Sequence, residues 1–187
     1  MHNATLETIK NRRSTRAFLD RQLEDAALEA ILEAGQYAPS GHNQQSWHFT
    51  VIQNPEHITF LNGAAKKAAA GIEDETIRNM VKNPGLDIFY GAPTVVIISG
   101  NDTALTPLQD CDAATQNMLL AAESLGLGSC WNGLAAFAFK GDDGERLRER
   151  FAVPAGYTPM NAIVLGYRKS AAAAAPKRKE GAVNYIR

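Results

Sequence analysis

Chemistry in this chain has an obvious starting place at Arg12-Arg13-Ser14-Thr15-Arg16, where three guanidiniums and two hydroxyls fall within five residues. A guanidinium presents its donors in a rigid plane, which suits a planar or phosphorylated anion. The preceding Thr5–Lys10 segment reads as a helix, with Thr5 as N-cap and Leu6 and Ile9 on one face. Arg12 and Arg13 then sit at a helix C-terminus, where the dipole favours cations. Ser14 to Phe18 alternates polar with apolar or small side chains and is predicted to be extended, so Ser14 and Arg16 share a face. The plainer reading is a solvated helix end carrying unpaired surface arginines.

A second stretch bears on that choice. Ala38-Pro39-Ser40-Gly41-His42-Asn43-Gln44-Gln45-Ser46-Trp47 is dense in side-chain amides and hydroxyls and carries no formal charge. It can offer neutral donors and acceptors to a polar heterocycle. It is also what an ordinary Pro/Ser/Gly/Asn turn looks like. His42 lies in it, and a lone histidine there reads as a polar turn residue. Cys111 and Cys130 are the only cysteines, with no disulfide framework or metal-ligand spacing. Cys130 reads as a small buried side chain rather than a nucleophile. No Ser-His-Asp or Cys-His arrangement is legible.

The elements that must position these residues follow from periodicity. Glu24–Tyr37 is a predicted helix with Leu28, Ile31, Leu32 and Gly35 on one face, stopped by Pro39. Trp47–Gln53 reads as a strand. Pro55 opens a helix to about Ala70 with Ile58, Leu61 and Ala65 inward, and Ile72–Val81 suggests a short helix ended near Asn83-Pro84-Gly85. Ala92–Ser99 is apolar and β-branched, which predicts a central strand. Pro107 opens a long helix to Leu125, with a predicted buried stripe of Leu108, Cys111, Ala114 or Thr115, Met118, Ala122 and Leu125. Gly126–Gly133 reads as a helix stop and short strand whose glycines admit a close neighbour. Asp142–Phe151 is a short charged helix with Leu147 and Phe151 inward, and Met160–Leu165 is a strand. The tail holds an alanine run at 171–175, then Pro176-Lys177-Arg178-Lys179, then Val183-Asn184-Tyr185-Ile186. Its composition is that of a flexible end, but its last apolar residues suggest docking.

The chain's 187 residues suffice for one domain, residues 1–187, with a sizeable core. A net charge of −1 gives no bulk attraction to nucleic acid or membrane. The basic tail could touch nucleic acid, but there is no broader basic face. The N-terminus lacks a long apolar core, and no apolar run is long enough to span a bilayer, so a cytoplasmic protein is expected.

Taken together, the two opening stretches resemble the FMN-dependent nitroreductase family. That family opens with an Arg-(basic or polar)-Ser-x-(Arg or Lys) cluster followed by Pro-Ser-x-x-Asn-x-Gln-Pro-Trp. Pro39-Ser40, Asn43, Gln45 and Trp47 match, and Ser46 stands where the family has proline. Tyr90-Gly91-Ala92-Pro93, Gln116-Asn117, Gly126-Leu127-Gly128-Ser129-Cys130-Trp131 and the Pro-Lys tail extend the resemblance over nearly the whole chain. It implies an α+β, three-layer fold with a mostly antiparallel sheet flanked by helices. It also implies an interlocked homodimer with FMN at the subunit interface, residues 170–187 being an arm that reaches the partner subunit.

The resemblance further implies NADH or NADPH as reductant and a small acceptor such as a nitroaromatic or quinone, in a ping-pong mechanism. By that match Arg12, Lys177 and Lys179 meet the phosphate, with Arg13 beside them. Ser14 and Arg16 meet the ribityl chain and pyrimidine edge. Pro39, Ser40, Gly41, Asn43 and Gln45 form the loop reaching the other subunit's flavin, and a backbone N–H near Ser129-Cys130 meets the central redox nitrogen. Phe89, Tyr90, Trp131, Phe137 and Phe139 are candidates for the pocket wall, each also readable as core. The alternatives are a dehydrogenase, dehalogenase or flavin-cleaving member of the same superfamily, or a non-catalytic flavin-binding protein.

Overall fold

The computed structural model describes residues 2–187. Its centre is a four-stranded antiparallel sheet in the order β1-β2-β4-β3. The strands are β1 (Trp47–Ile52), β2 (Thr94–Asn101), β3 (Gly128–Asn132) and β4 (Tyr157–Gly166). β2 is buried over nearly its whole length, as its unbroken apolar run requires of a strand covered on both faces. Side-chain alternation divides the sheet into two faces. Val95, Ile97, Ala162, Val164 and Cys130 belong to one core, and Val96, Ile98, Ile163 and Leu165 to the other.

The first core is closed by α3 (Pro55–Ala69), a 3-10 segment at Leu134–Phe139 and α6 (Gly144–Arg150). The second is closed by α2 (Asp25–Gln36) and α5 (Pro107–Ser124). The result is the expected α+β, three-layer arrangement. Fully burying each large aliphatic side chain in these layers stabilises the fold by roughly 1.5–3 kcal/mol. A short α4 (Glu75–Val81) follows α3, and α1 (Ala4–Asn11) packs against α5. Among the described residues, no helix is long and apolar enough to cross a membrane.

Several boundaries differ from the sequence reading. Asn3, not Thr5, caps α1, accepting a bond from the Leu6 N–H at 2.9 Å. Starting the helix one residue before Thr5 lets it end at Asn11, directly before the arginines. No α1 residue is buried, and Ile9 is exposed. On α5, Leu108 and Leu125 are exposed, while Asp110 and Leu119 are buried. The buried stripe therefore admits a carboxylate, for a reason given below. The tail from Ser170 onward is exposed throughout and forms neither helix nor strand.

Candidate functional site

The basic cluster is held against β3. Ser14 forms a parallel bridge with Ser129, and the Thr15 N–H donates to the Ser129 carbonyl at 2.8 Å. Gly128 makes this approach possible. A Cβ there would lie 2.8 Å from Thr15 Cγ2 and 2.9 Å from Arg168 Cγ, both too close. Thr15 turns onto Gly128, while Ser14 and Arg16 on either side of it are exposed, as alternation predicts. Farther along, Phe18 bridges Arg168, and Arg168 pairs with Glu123 at a mostly buried position. Glu123 thereby neutralises the Arg168 guanidinium.

Arg12, Arg13 and Arg16 have no such partner. Among the described residues none of the three forms an ion pair with a carboxylate, although all lie within one short segment. Arg13 is half-buried, donates to the Arg12 carbonyl, and has a buried Nε without a bond partner. An unsatisfied buried donor is costly, and a cluster of unneutralised cations repels itself. Both features fit a site built for an external anion. The segment from Arg13 to Ala17 and the root of the tail, including Ala171–Ala174 and Pro176, enclose a groove of about 460 Å³.

Tyr90 joins this region from the turn before β2. Asp87 accepts from the N–H groups of Phe89 (2.9 Å) and Gly91 (2.6 Å) and closes the turn. Tyr90 then takes φ +60, an unfavourable angle for a bulky residue, and the Arg16 guanidinium lies 6.0 Å from its ring centroid. Among the other aromatic candidates, Phe89 and Phe139 are core, Phe137 is half-buried, and Trp131 is exposed. The Trp131 indole donates to Asn161 at 3.1 Å, and Asn161 to Asp112 at 2.7 Å. Cys130 is buried at 2 % exposure, as a small core residue would be.

The second stretch forms a strained loop between α2 and β1. His42, Asn43 and Gln45 all adopt positive φ, at 50, 54 and 49 degrees. Each such non-glycine residue costs roughly 1 kcal/mol or more, so the surroundings must over-determine the conformation. Gly41 N–H donates to Asp110 Oδ1 at 3.0 Å, Ser46 Oγ to Asp110 Oδ2 at 2.7 Å, and Thr106 Oγ1 to Oδ1 at 2.9 Å. The Gln45 N–H donates to Ser40 Oγ, and the Leu105 N–H to Gln44 Oε1. The side chains of His42, Asn43 and Gln45 are left exposed.

Burial pushes the Asp110 carboxyl up, but the bonds from Ser46, Gly41 and Thr106 outweigh it and hold the pKa below the ordinary value. A depressed carboxylate contributes stability at neutral pH, and that contribution is lost as pH falls through the lowered value. This accounts for the buried carboxylate on α5. It also shows what Ser46 does where a proline is expected: a hydroxyl ties the loop to the helix. The sequence reading missed Asp110 because an acidic residue in a helix's first turn is already explained by the dipole.

Within one chain the expected site residues fall into separate groups. Ser14, Arg16, Ser129 and Cys130 come together. The loop at 40–45 is tied to the N-terminal end of α5 through Asp110, whereas the arginine segment meets its C-terminal end through Arg168 and Glu123. Asp110 and Glu123 are separated by about 20 Å of helix at 1.5 Å per residue. Lys177 and Lys179 are exposed on the tail, and Lys177 pairs with Glu180 at 2.7 Å. That pair is well solvated and worth little.

The chain is similar to known proteins over most of its length. A model of the Nitroreductase family matches residues 9–167. A relative from Methanothermobacter thermautotrophicus whose name includes NAD(P)H nitroreductase is 34% identical over 167 residues, covering 87% of this chain and 76% of its own length. A nitroreductase crystal structure with bound FMN from Bacteroides fragilis superposes with a TM-score of 0.90 at 35% identity, covering 100% of both chains. Another with bound FMN, from Desulfitobacterium hafniense, gives a TM-score of 0.90 at 32% identity, again over 100% of both.

Proposed function

The chain belongs to the Nitroreductase family, and on that premise we propose that it is an FMN-dependent oxidoreductase working as a homodimer. It takes reducing equivalents from NADH or NADPH and passes them to a small organic acceptor such as a nitroaromatic or quinone, the two substrates using one site in turn. The observation that carries this reading is the cluster of three arginines that, among the described residues, has no carboxylate partner, pinned beside β3 with a buried Arg13 Nε that has no bond partner among them. Structural neighbours that hold FMN share the whole fold.

The residues fit such a group. Arg12 and Arg13 supply cations for a terminal phosphate, and Lys177 and Lys179 add to them if the tail folds over the site. Ser14 and Arg16, exposed on one face of an extended segment, are placed for the ribityl chain and the pyrimidine edge. Ser129 and Cys130 bring the β3 edge alongside. Pro39, Ser40, Gly41, Asn43 and Gln45 form the polar loop. FMN would supply the two-electron chemistry, accepting hydride and giving electrons up again. The chain's part is to orient that group, neutralise its phosphate and hold a fixed cation at Arg16 where negative charge grows on reduction.

The same geometry supports a dimer. The loop and the cluster are anchored at opposite ends of α5, which suits a second copy supplying the loop to one bound molecule. Exposed apolar side chains on α1, α5 and the tail, among them Ile9, Leu108, Leu125, Tyr185 and Ile186, suit such an interface. The test is the visible spectrum of the purified protein together with NADH and NADPH oxidation in the presence of nitroaromatic and quinone acceptors. A yellow protein with about one FMN per chain and acceptor-dependent turnover is expected. A colourless protein that cannot be reconstituted with FMN overturns the reading.

A further inference from the structure

We propose that Asp110 is a positioning residue: a buried carboxylate on α5 that sets the conformation of the loop at 40–45 and thereby aims Asn43 and Gln45 at the cofactor. The first half of this statement concerns the chain alone, and the second rests on the proposed function.

The argument begins with the strain. Three non-glycine residues of a short loop hold left-handed angles, and their own side chains are exposed, so packing does not hold them there. The loop's internal bonds tie Asn43 N–H to Ser40 O (3.1 Å), Gln44 N–H to Gly41 O (3.0 Å) and Gln45 N–H to Ser40 Oγ (2.9 Å). These make the loop a unit but do not attach it to anything. Its far end is tied to β2 by the Asn101 N–H bond to the Ser46 carbonyl at 2.8 Å. Asp110 alone takes up both ends on its two oxygens: Gly41 N–H on Oδ1 and Ser46 Oγ on Oδ2. Thr106 adds a third donor to Oδ1, and Leu105 N–H reaches Gln44.

Asp110 is 3% exposed and has no basic partner among the described residues, so its charge is satisfied by neutral donors alone. A carboxylate is the one side chain of this size that can accept at both ends. An amide of the same shape keeps one acceptor and turns two donors toward either Ser46 or the Gly41–Thr106 pair. The clamp is also sterically specific. A Cβ on Gly41 would lie 2.3 Å from Thr106 Oγ1, so loop and helix meet with no spare room. Charge is needed here for its acceptor geometry rather than for reacting with substrate.

The test compares the wild-type chain with Asp110→Asn and Ser46→Ala, the latter removing one bond and keeping the carboxylate. Hydrogen–deuterium exchange of the amides at 41–45 reads the loop without any cofactor. Titration of FMN into the apoprotein, with the visible spectrum and reduction potential of the bound flavin, reads its consequence. Asp110→Asn should speed exchange in the loop at least about tenfold and weaken FMN binding by about tenfold, equivalent to about 1.4 kcal/mol. It should also shift the bound flavin's spectrum or potential. Ser46→Ala should move each quantity the same way by less.

A purely structural role would lower the melting temperature but leave the spectrum and potential of bound FMN unchanged, and that result overturns the positioning claim. Unchanged exchange at 41–45 in folded Asp110→Asn overturns the clamp itself. If Asp110→Asn does not fold, Ser46→Ala decides on the same measurements. If the wild-type protein binds no FMN, the proposed function and the aiming claim both fail, while the exchange data still decide the clamp.

Discussion

Replacing Arg16 by alanine separates a structural from an electrostatic role. The side chain is exposed, forms no ion pair among the described residues, and has the Tyr90 ring as an aromatic neighbour, at 6.0 Å. An exposed cation–π contact of this kind is worth about 0.5–1 kcal/mol. Its loss should lower the melting temperature by no more than about 2–4 °C in a chain of this size. The fold should therefore survive, and FMN should remain bound through Arg12 and Arg13. A charge-assisted hydrogen bond contributes about 1.5–3 kcal/mol, and solvent at an exposed site favours the lower end. If that difference is expressed on reduction, about 1.5 kcal/mol corresponds to a tenfold slower hydride step. For a two-electron couple it corresponds to a potential about 30 mV lower. The assay is anaerobic stopped-flow reduction of the FMN-loaded protein by NADH and NADPH, with dye-equilibrated potentials and a thermal melt. Arg16→Lys retains the charge without the fork and should restore most of both quantities. Arg16→Ala with FMN fully bound, a melt within a few degrees of wild type, and an unchanged rate and potential would refute the assignment.

Removing residues from Ala175 onward should weaken FMN binding and dimerisation together, because the exposed basic and apolar tail residues have few partners in their own chain; sedimentation and flavin titration check this, and unchanged FMN affinity counts against the arm. Gly41→Ala should destabilise the fold by roughly 1–3 kcal/mol through overpacking against Thr106. Adding Thr106→Ala should recover part of the loss, since the new Cβ would then face only the residue 106 Cβ at 3.5 Å; urea unfolding of the double-mutant cycle reads the coupling. Burial, reinforced by Asp110 and Asp112, pushes the Cys111 thiol up to about 12, so Cys111 of the native protein should resist iodoacetamide at pH ~8. Stability should fall as pH rises from the free-thiol range through that value, because only the unfolded chain ionises there; ready alkylation at Cys111 in the folded protein, located by peptide mass mapping, contradicts the placement.

The layers of the fold were legible because their signals are periodic. The apolar β-branched run at 94–98 could only be a covered strand, and Pro107 with its helical stripe marked α5. The ends of that stripe were less legible. Leu108 and Leu125 carry the right spacing but are exposed, since periodicity gives a face and not the extent to which neighbours cover it. Asn3 displaced Thr5 as cap because both types cap well and only the backbone path decides between them. Within the site, the arginine cluster was visible as a local density of charge. The left-handed angles at His42, Asn43 and Gln45 were not, because they are held by bonds to Asp110, far away in the sequence, rather than favoured by the loop's own composition.

The loop and the cluster are related to each other only through a third element. Each motif is local, and each is anchored locally: Ser14 and Thr15 on β3, Gly41 and Ser46 on Asp110. What relates them is α5, along which their anchors Asp110 and Glu123 stand about 20 Å apart. The family resemblance assigns the loop to the other subunit's flavin, and this separation of the anchors within one chain is compatible with that assignment. On the proposed function, the strained loop at one end of the helix and the unneutralised cations at the other are two halves of a site, each completed by the other half from a second copy. Loss of the dimer would then unload both sites even with every side chain of each cluster intact.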